Sequence, residues 1–242
     1  MVEQLQRGTI VTLGGGGFLM SPDGTSRIDD LILSLSGARR PKVCFVPTAS
    51  GDAASACERF EAAFPAERAE TSVLSLFNMS PYGYRDPSML LEQDVVYVGG
   101  GSTANLLVLW RQHGVVERLR EAAASGTILA GISAGMNCWF EASSTDSYGP
   151  LAPLNDGLGF LPGGACPHYL GEPGRREALL KWVAEGRLPD TLALDDGVAA
   201  VWVDARLERV VAEVPGGVAA RITRTPAGAH EERLAALELG GA

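Results

Sequence analysis

Along this chain, short runs of apolar and β-branched residues alternate with longer stretches in which apolar positions recur at helical spacing. Residues 9–15 (TIVTLGG), 42–50 (KVCFVPTAS), 71–77 (TSVLSLF), 94–101 (DVVYVGGG), 126–135 (GTILAGISAG) and 191–197 (TLALDDG) read as buried strands, most of them ending in Gly, Ser or Asp. Residues 26–36, 53–64, 103–113, 115–124 and 175–185 read as amphipathic helices. The alternation predicts an α/β fold: a mostly parallel sheet flanked by helices on both faces, with ligands collecting at the carboxyl ends of its strands. After residue 197 the period falls to two on either side of a Pro-Gly-Gly turn, which predicts antiparallel strands at a C-terminal edge. Residues 228–242 are expected to form a short terminal helix or a frayed tail.

Composition narrows this picture. A chain of 242 residues, 46% of them hydrophobic, suits one well-buried domain spanning 1–242. Its 29 acidic and 20 basic residues give a net charge of −9, scattered rather than clustered, which argues against nucleic acid or an anionic membrane as partner. The longest apolar runs contain several glycines and fall short of the roughly 18 to 20 residues of a membrane span. Four cysteines without a CxxC pair, and no charged segment followed by an apolar one at the N-terminus, point to a soluble cytoplasmic protein.

The chemistry centres on GISAG, residues 131–135. It fits G-x-S-x-G, follows the apolar run TILA and precedes the helix-compatible MNCWFEA, the strand-turn-helix setting in which a serine is held up as a nucleophile. A bland turn into a helix is the competing reading of Ser133. A serine hydroxyl needs a base. Of three histidines, His113 is explained as a helix C-cap and His230 lies in the polar tail, which leaves His168 in the glycine-rich GGACPHYLGEPG. The base in turn needs a carboxylate. Glu141, Asp146 and the pair Asp195 and Asp196 are candidates; Glu141 falls on the expected helix after the serine, and Asp196 ends a strand before a glycine. The amides of Gly101, in VYVGGGSTANLL, and of Ala134 are candidates for an oxyanion hole, since a strand there runs into a helix N-terminus. GGGST lacks the lysine of a phosphate-binding P-loop, and LGGGGFLM lacks dinucleotide-loop spacing and reads as a close-packed loop at the first strand end. Cys166 and His168 lack a third nearby ligand, so no metal and no cofactor is expected.

GGGG, VPTAS, VYVGGGSTANLL, GISAGMNC, PHY and LALDDG follow one another in an order and at intervals that resemble the peptidase S51 family, which includes aspartyl dipeptidase (peptidase E) and cyanophycinase. The resemblance runs from about Thr9 to Trp202. It implies a sheet like that of class I glutamine amidotransferases, a flavodoxin-like three-layer sandwich, with Ser133 as nucleophile and His168 as base. The family acid is typically a glutamate; the matching slot holds Asp196, one methylene shorter. Asp146 matches a second acid that meets the substrate amine. Ser102 stands where the dipeptidases carry asparagine, and Arg175 and Arg176 lie where an arginine selects aspartate, although both also fit a solvated first helical turn. The implied activity is hydrolysis of small peptides through an acyl-enzyme, with an Asp-X dipeptidase as the leading form. Cleavage of β-aspartyl-arginine bonds and a non-catalytic ligand-binding relative are the alternatives. A homodimer is what the family suggests.

Overall fold

The structure, a computed structural model, describes residues 8–240. In chain order the elements are β1 (Thr9–Leu13), α1 (Gly17–Met20), α2 (Arg27–Leu35), β2 (Lys42–Val46), α3 (Ala54–Ala63), β3 (Glu70–Val73), β4 (Val95–Val98), α4 (Thr103–Gln112), α5 (Val115–Ala124), β5 (Ile128–Ile132), α6 (Ala134–Asn137) and β6 (Phe140–Thr145). There follow β7 (Ala152–Leu154), β8 (Leu161–Cys166), α7 (Arg175–Ala184), β9 (Thr191–Leu194), β10 (Val198–Val203), β11 (Arg206–Ala212), β12 (Ala219–Thr225), β13 (Gly228–Leu234) and β14 (Ala236–Glu238). The five expected helices form close to their expected bounds. The ends are set by local chemistry: the Ser26 hydroxyl caps α2 by accepting from Asp29 N–H, and His113 is the C-cap of α4.

The larger sheet has the order β14-β11-β10-β1-β5-β4-β2-β3, parallel from β1 to β3 and antiparallel at β1–β10 and β10–β11. Its central strands are apolar on both faces. On β2 and β4, Cys44, Val46, Val96 and Val98 join one apolar cluster while Val43, Phe45, Val95 and Tyr97 join the other, as the two-residue period of a strand requires. The first face packs on α4 and α5; the second packs on α2 and α3. Phe18 sits at the centre of the second cluster, fully buried, with ring centroids 5.2 to 5.7 Å from Tyr97, Phe64, Phe45 and Phe60. Phe18→Ala is expected to cost about 3–5 kcal/mol, the loss of an aromatic side chain plus the cavity it leaves. Urea unfolding checks this, and a loss below about 1 kcal/mol would show that the cluster collapses to fill the space.

A second, six-stranded sheet of order β13-β12-β9-β8-β6-β7 covers part of the first face and carries α7 on its far side. Four of its strands, β6, β7, β8 and β13, were not expected. MNCWFEA, expected as a helix, ends its helical turn at Asn137 because Trp139 and Phe140 are drawn fully into the core, and β6 begins there. Glu141 therefore lies on a strand, where Oε2 accepts from Gly163 N–H at 2.9 Å. The Pro-Gly-Gly turn does not close a hairpin: β11 belongs to the larger sheet and β12 to the smaller, so the turn carries the chain between sheets. The expectation of a helix or tail over 228–242 is also corrected, since residues up to 238 form β13 and β14. The Ala, Glu, Arg and Leu residues there have high helix propensity, but pairing wins. Arg221 sits opposite Glu232, and Glu231 is held by Arg176 on α7. Among the described residues no helix is long and apolar enough to cross a membrane.

Candidate active site

The chain reverses sharply at Ser133, where β5 gives way to α6. Ser133 has φ 57° and ψ −112°, a conformation that L residues adopt only under constraint. The two flanking glycines are required by close approach. A Cβ on Gly131 would lie 2.2 Å from the Gly135 carbonyl oxygen, and one on Gly135 would lie 2.4 Å from the Val98 carbonyl oxygen. The lone serine between glycines is thus a strained corner packed backbone-to-backbone against β4, not a free turn.

Ser133, Gly101, Ala134, Asp146, His168 and Arg175 line one cavity of about 190 Å³. His168 lies just past β8, also at positive φ (51°), and its Nδ1 is 2.6 Å from Asp196 Oδ1, just past β9. A carboxylate oxygen only accepts, so Nδ1 carries the hydrogen and leaves Nε2 of the neutral ring with its lone pair. Asp196 reaches the ring despite its shorter side chain; β9 ends at Leu194, three residues short of the end of TLALDDG, and Asp196 bridges Gly15 just past the end of β1. Its neighbour Asp195 accepts from the Leu170 and Gly171 N–H groups and so shapes the loop after His168. The amides of Gly101 and Ala134 donate to no described residue, so they are free for a ligand in the cavity they line.

Two expected binding residues are not brought to this cavity. The Ser102 hydroxyl caps α4, accepting from Asn105 N–H at 3.2 Å. Arg176 points away along the next direction of the helix, and its Nε donates to Glu231 at 3.0 Å on β13. That pairing holds the Glu231 carboxyl below its usual range. Arg175, by contrast, is 3% exposed in the cavity wall, where Nε and Nη2 meet Glu172 Oε2 and Nη1 approaches Ser144 Oγ at 3.5 Å. Asp146 is at the exposed rim.

The sequence reading missed Asn137 and Glu172. Asn137 is one helical turn after Ser133, an i, i+4 spacing that would have placed it on the serine's side of α6. It is 3% exposed; its amide nitrogen donates to Thr103 Oγ1 and to the Ser144 carbonyl at 3.2 Å, and its Oδ1 has no partner. Glu172 is three residues before Arg175. Two cysteines lie close in sequence to these residues, Cys138 after Ser133 and Cys166 before His168, but burial pushes both thiols up, Cys166 to about 11, so neither offers a thiolate.

The family model of Peptidase family S51 matches residues 10–210. The chain belongs to peptidase family S51. It is 46% identical over 213 residues to a protein named uncharacterized peptidase YgaJ from Bacillus subtilis, covering 88% of this chain and 91% of that protein. Peptidase E of Shewanella denitrificans is 31% identical over 153 residues, 59% of this chain and 65% of that one. In fold, this S51 member resembles the crystal structure of a peptidase from an acI-B1 Actinobacterium, with a TM-score of 0.69 over 96% of both chains at 17% identity. A putative peptidase E from Listeria monocytogenes gives a TM-score of 0.57 over 94% of this chain and 99% of that one.

Proposed function

We propose that this S51 member is a serine peptidase that hydrolyses small peptides bearing a free amino terminus. Ser133 Oγ attacks the scissile carbonyl while His168 Nε2 takes its proton, and Asp196 fixes the ring and stabilises the imidazolium. The Gly101 and Ala134 amides receive the oxyanion. His168 then protonates the leaving amine, and water, activated by the same base, releases the acyl group. The observation that carries this reading is the 2.6 Å contact between Asp196 and Nδ1 of His168, a residue that lines the same cavity as the strained Ser133.

At about 190 Å³ the cavity is smaller than the roughly 300–1,000 Å³ of drug-sized ligand sites, which favours one or two residues over a polymer. The unpartnered Asn137 Oδ1 and the Asp146 carboxylate are both acceptors, suited to a substrate ammonium group. Among the described residues Arg175 is the one guanidinium that lines the cavity, and it supports an Asp-X preference, provided the half-exposed Glu172 yields its place to the substrate carboxylate. The test is a panel of Asp-X, Glu-X, Ala-X and β-Asp-Arg peptides with their N-acetylated forms. Asp-X is expected to be the best substrate. Acetylation is expected to lower kcat/KM by about 10- to 150-fold, the equivalent of a charge-assisted hydrogen bond worth about 1.5–3 kcal/mol. Equal cleavage of acetylated and free peptides would contradict the amine-binding role, and β-Asp-Arg cleavage alone would favour the cyanophycinase-like reading.

A further inference from the structure

The segment Leu13–Gly17, the end of β1 and the four-glycine run after it, reaches no part of the proposed substrate cavity, yet its backbone meets the backbone at or beside every member of the proposed triad. Ser133 N–H donates to the Leu13 carbonyl at 3.1 Å, and His168 N–H donates to the Gly14 carbonyl at 3.2 Å. Gly197 N–H, next to Asp196, donates to the Gly15 carbonyl at 3.0 Å. Three successive carbonyls therefore fix the backbones that present serine, histidine and acid, which come from strands of two different sheets. A phosphate-binding glycine loop offers free amides; here Gly14 N–H donates to Val198, Gly17 N–H to Glu213 Oε1 at 3.3 Å and Phe18 N–H to Asp29 Oδ2 at 2.7 Å.

The packing is tight enough to transmit position. A Cβ on Gly15 would lie 1.9 Å from Asp196 Oδ1 and 3.0 Å from His168 Cε1. At its other end the loop is tied to Asp29, a fully buried carboxyl whose second oxygen accepts from Tyr97 OH at 3.0 Å. Glu213 reinforces that end through Ser26 Oγ at 2.6 Å. Loss of hydration raises the Asp29 carboxyl to about 7, so neutral and charged forms coexist near neutral pH and an amide of the same shape is a fair replacement.

We propose that the segment Leu13–Gly17 is the positioning element that holds Ser133, His168 and Asp196 in register, and that Asp29 is its anchor. The proposal rests on the serine-peptidase reading above. None of these groups touches substrate; they act through the backbone beneath the three side chains and, at Gly15, through direct packing against the Asp196 carboxylate and the His168 ring.

The experiment measures the rate at which a fluorophosphonate labels Ser133 in wild type, Gly15→Ala, Asp29→Ala and Asp29→Asn, with thermal unfolding and kcat and KM on the best peptide alongside. Gly15→Ala is expected to slow labelling about 100-fold, the effect of an ångström-scale misplacement. Asp29→Ala is expected to slow it about tenfold, in kcat rather than KM, in protein that still unfolds cooperatively. Asn accepts from Phe18 N–H and donates to Tyr97 Oη, so Asp29→Asn is expected to restore labelling to within about threefold of wild type. If Gly15→Ala does not fold, the Asp29 pair decides alone. Wild-type rates in Gly15→Ala or Asp29→Ala, or an Asp29→Asn as slow as Asp29→Ala, would overturn the proposal while leaving the serine mechanism intact. An unlabelled wild type would overturn both.

Discussion

Ser133→Ala is expected to lower kcat on the best peptide by about 10⁵- to 10⁶-fold while leaving the fold unchanged. The nucleophile accounts for nearly all of the covalent route, and what survives comes from oxyanion stabilisation and binding. The fold is expected to tolerate the change because the strain at this corner is in the backbone: alanine meets the same φ and ψ as serine, and the Ser133 side chain does not cap α6. KM is expected to move little, since the hydroxyl does not hold the substrate in the ground state. Circular dichroism together with the peptide assay checks both halves. Residual activity within about 100-fold of wild type would place the nucleophile elsewhere.

Asp196→Asn carries the second-largest effect, a fall of about 10³- to 10⁴-fold in kcat. The amide nitrogen would turn toward His168 Nδ1 and favour the tautomer with its hydrogen on Nε2, which removes the lone pair that takes the serine proton. Asp196 is 40% exposed against 16% for His168, so water weakens its purely electrostatic share, and the tautomer argument carries most of the effect. Stability is expected to change by less than about 1 kcal/mol for the same reason. A variant that kept more than about a tenth of wild-type kcat would shift the acid's role to another carboxylate, with Asp146 in the cavity wall the first to examine.

The centre of the larger sheet was legible in the sequence because β1, β5, β4 and β2 are buried on both faces and so appear as continuous apolar runs, and because helices such as α2 and α5 carry clear periodicity and end residues. The second sheet was hidden. LPGGAC, which forms β8, has the proline and glycines of a loop, and FEASST, which forms β6, buries Ser143, Ser144 and Thr145 where a core strand is expected to be apolar. Those small polar residues line the cavity or abut it, so the chemistry that builds the site also masked the strand. Ser133, His168 and Asp196 were singled out from their strand-end positions and the order of motifs. Arg176 was not separable from Arg175 by sequence, because only the register of α7 against β13 decides which of two adjacent guanidinium groups faces inward.

The central claim is that Ser133 is activated by His168. It is tested most directly by incubating the protein with a fluorophosphonate and locating the adduct by peptide mass mapping. A single adduct on Ser133, lost or slowed by about 10³-fold or more in His168→Ala, is the predicted result. No adduct, an adduct on another residue, or undiminished labelling in His168→Ala would contradict it.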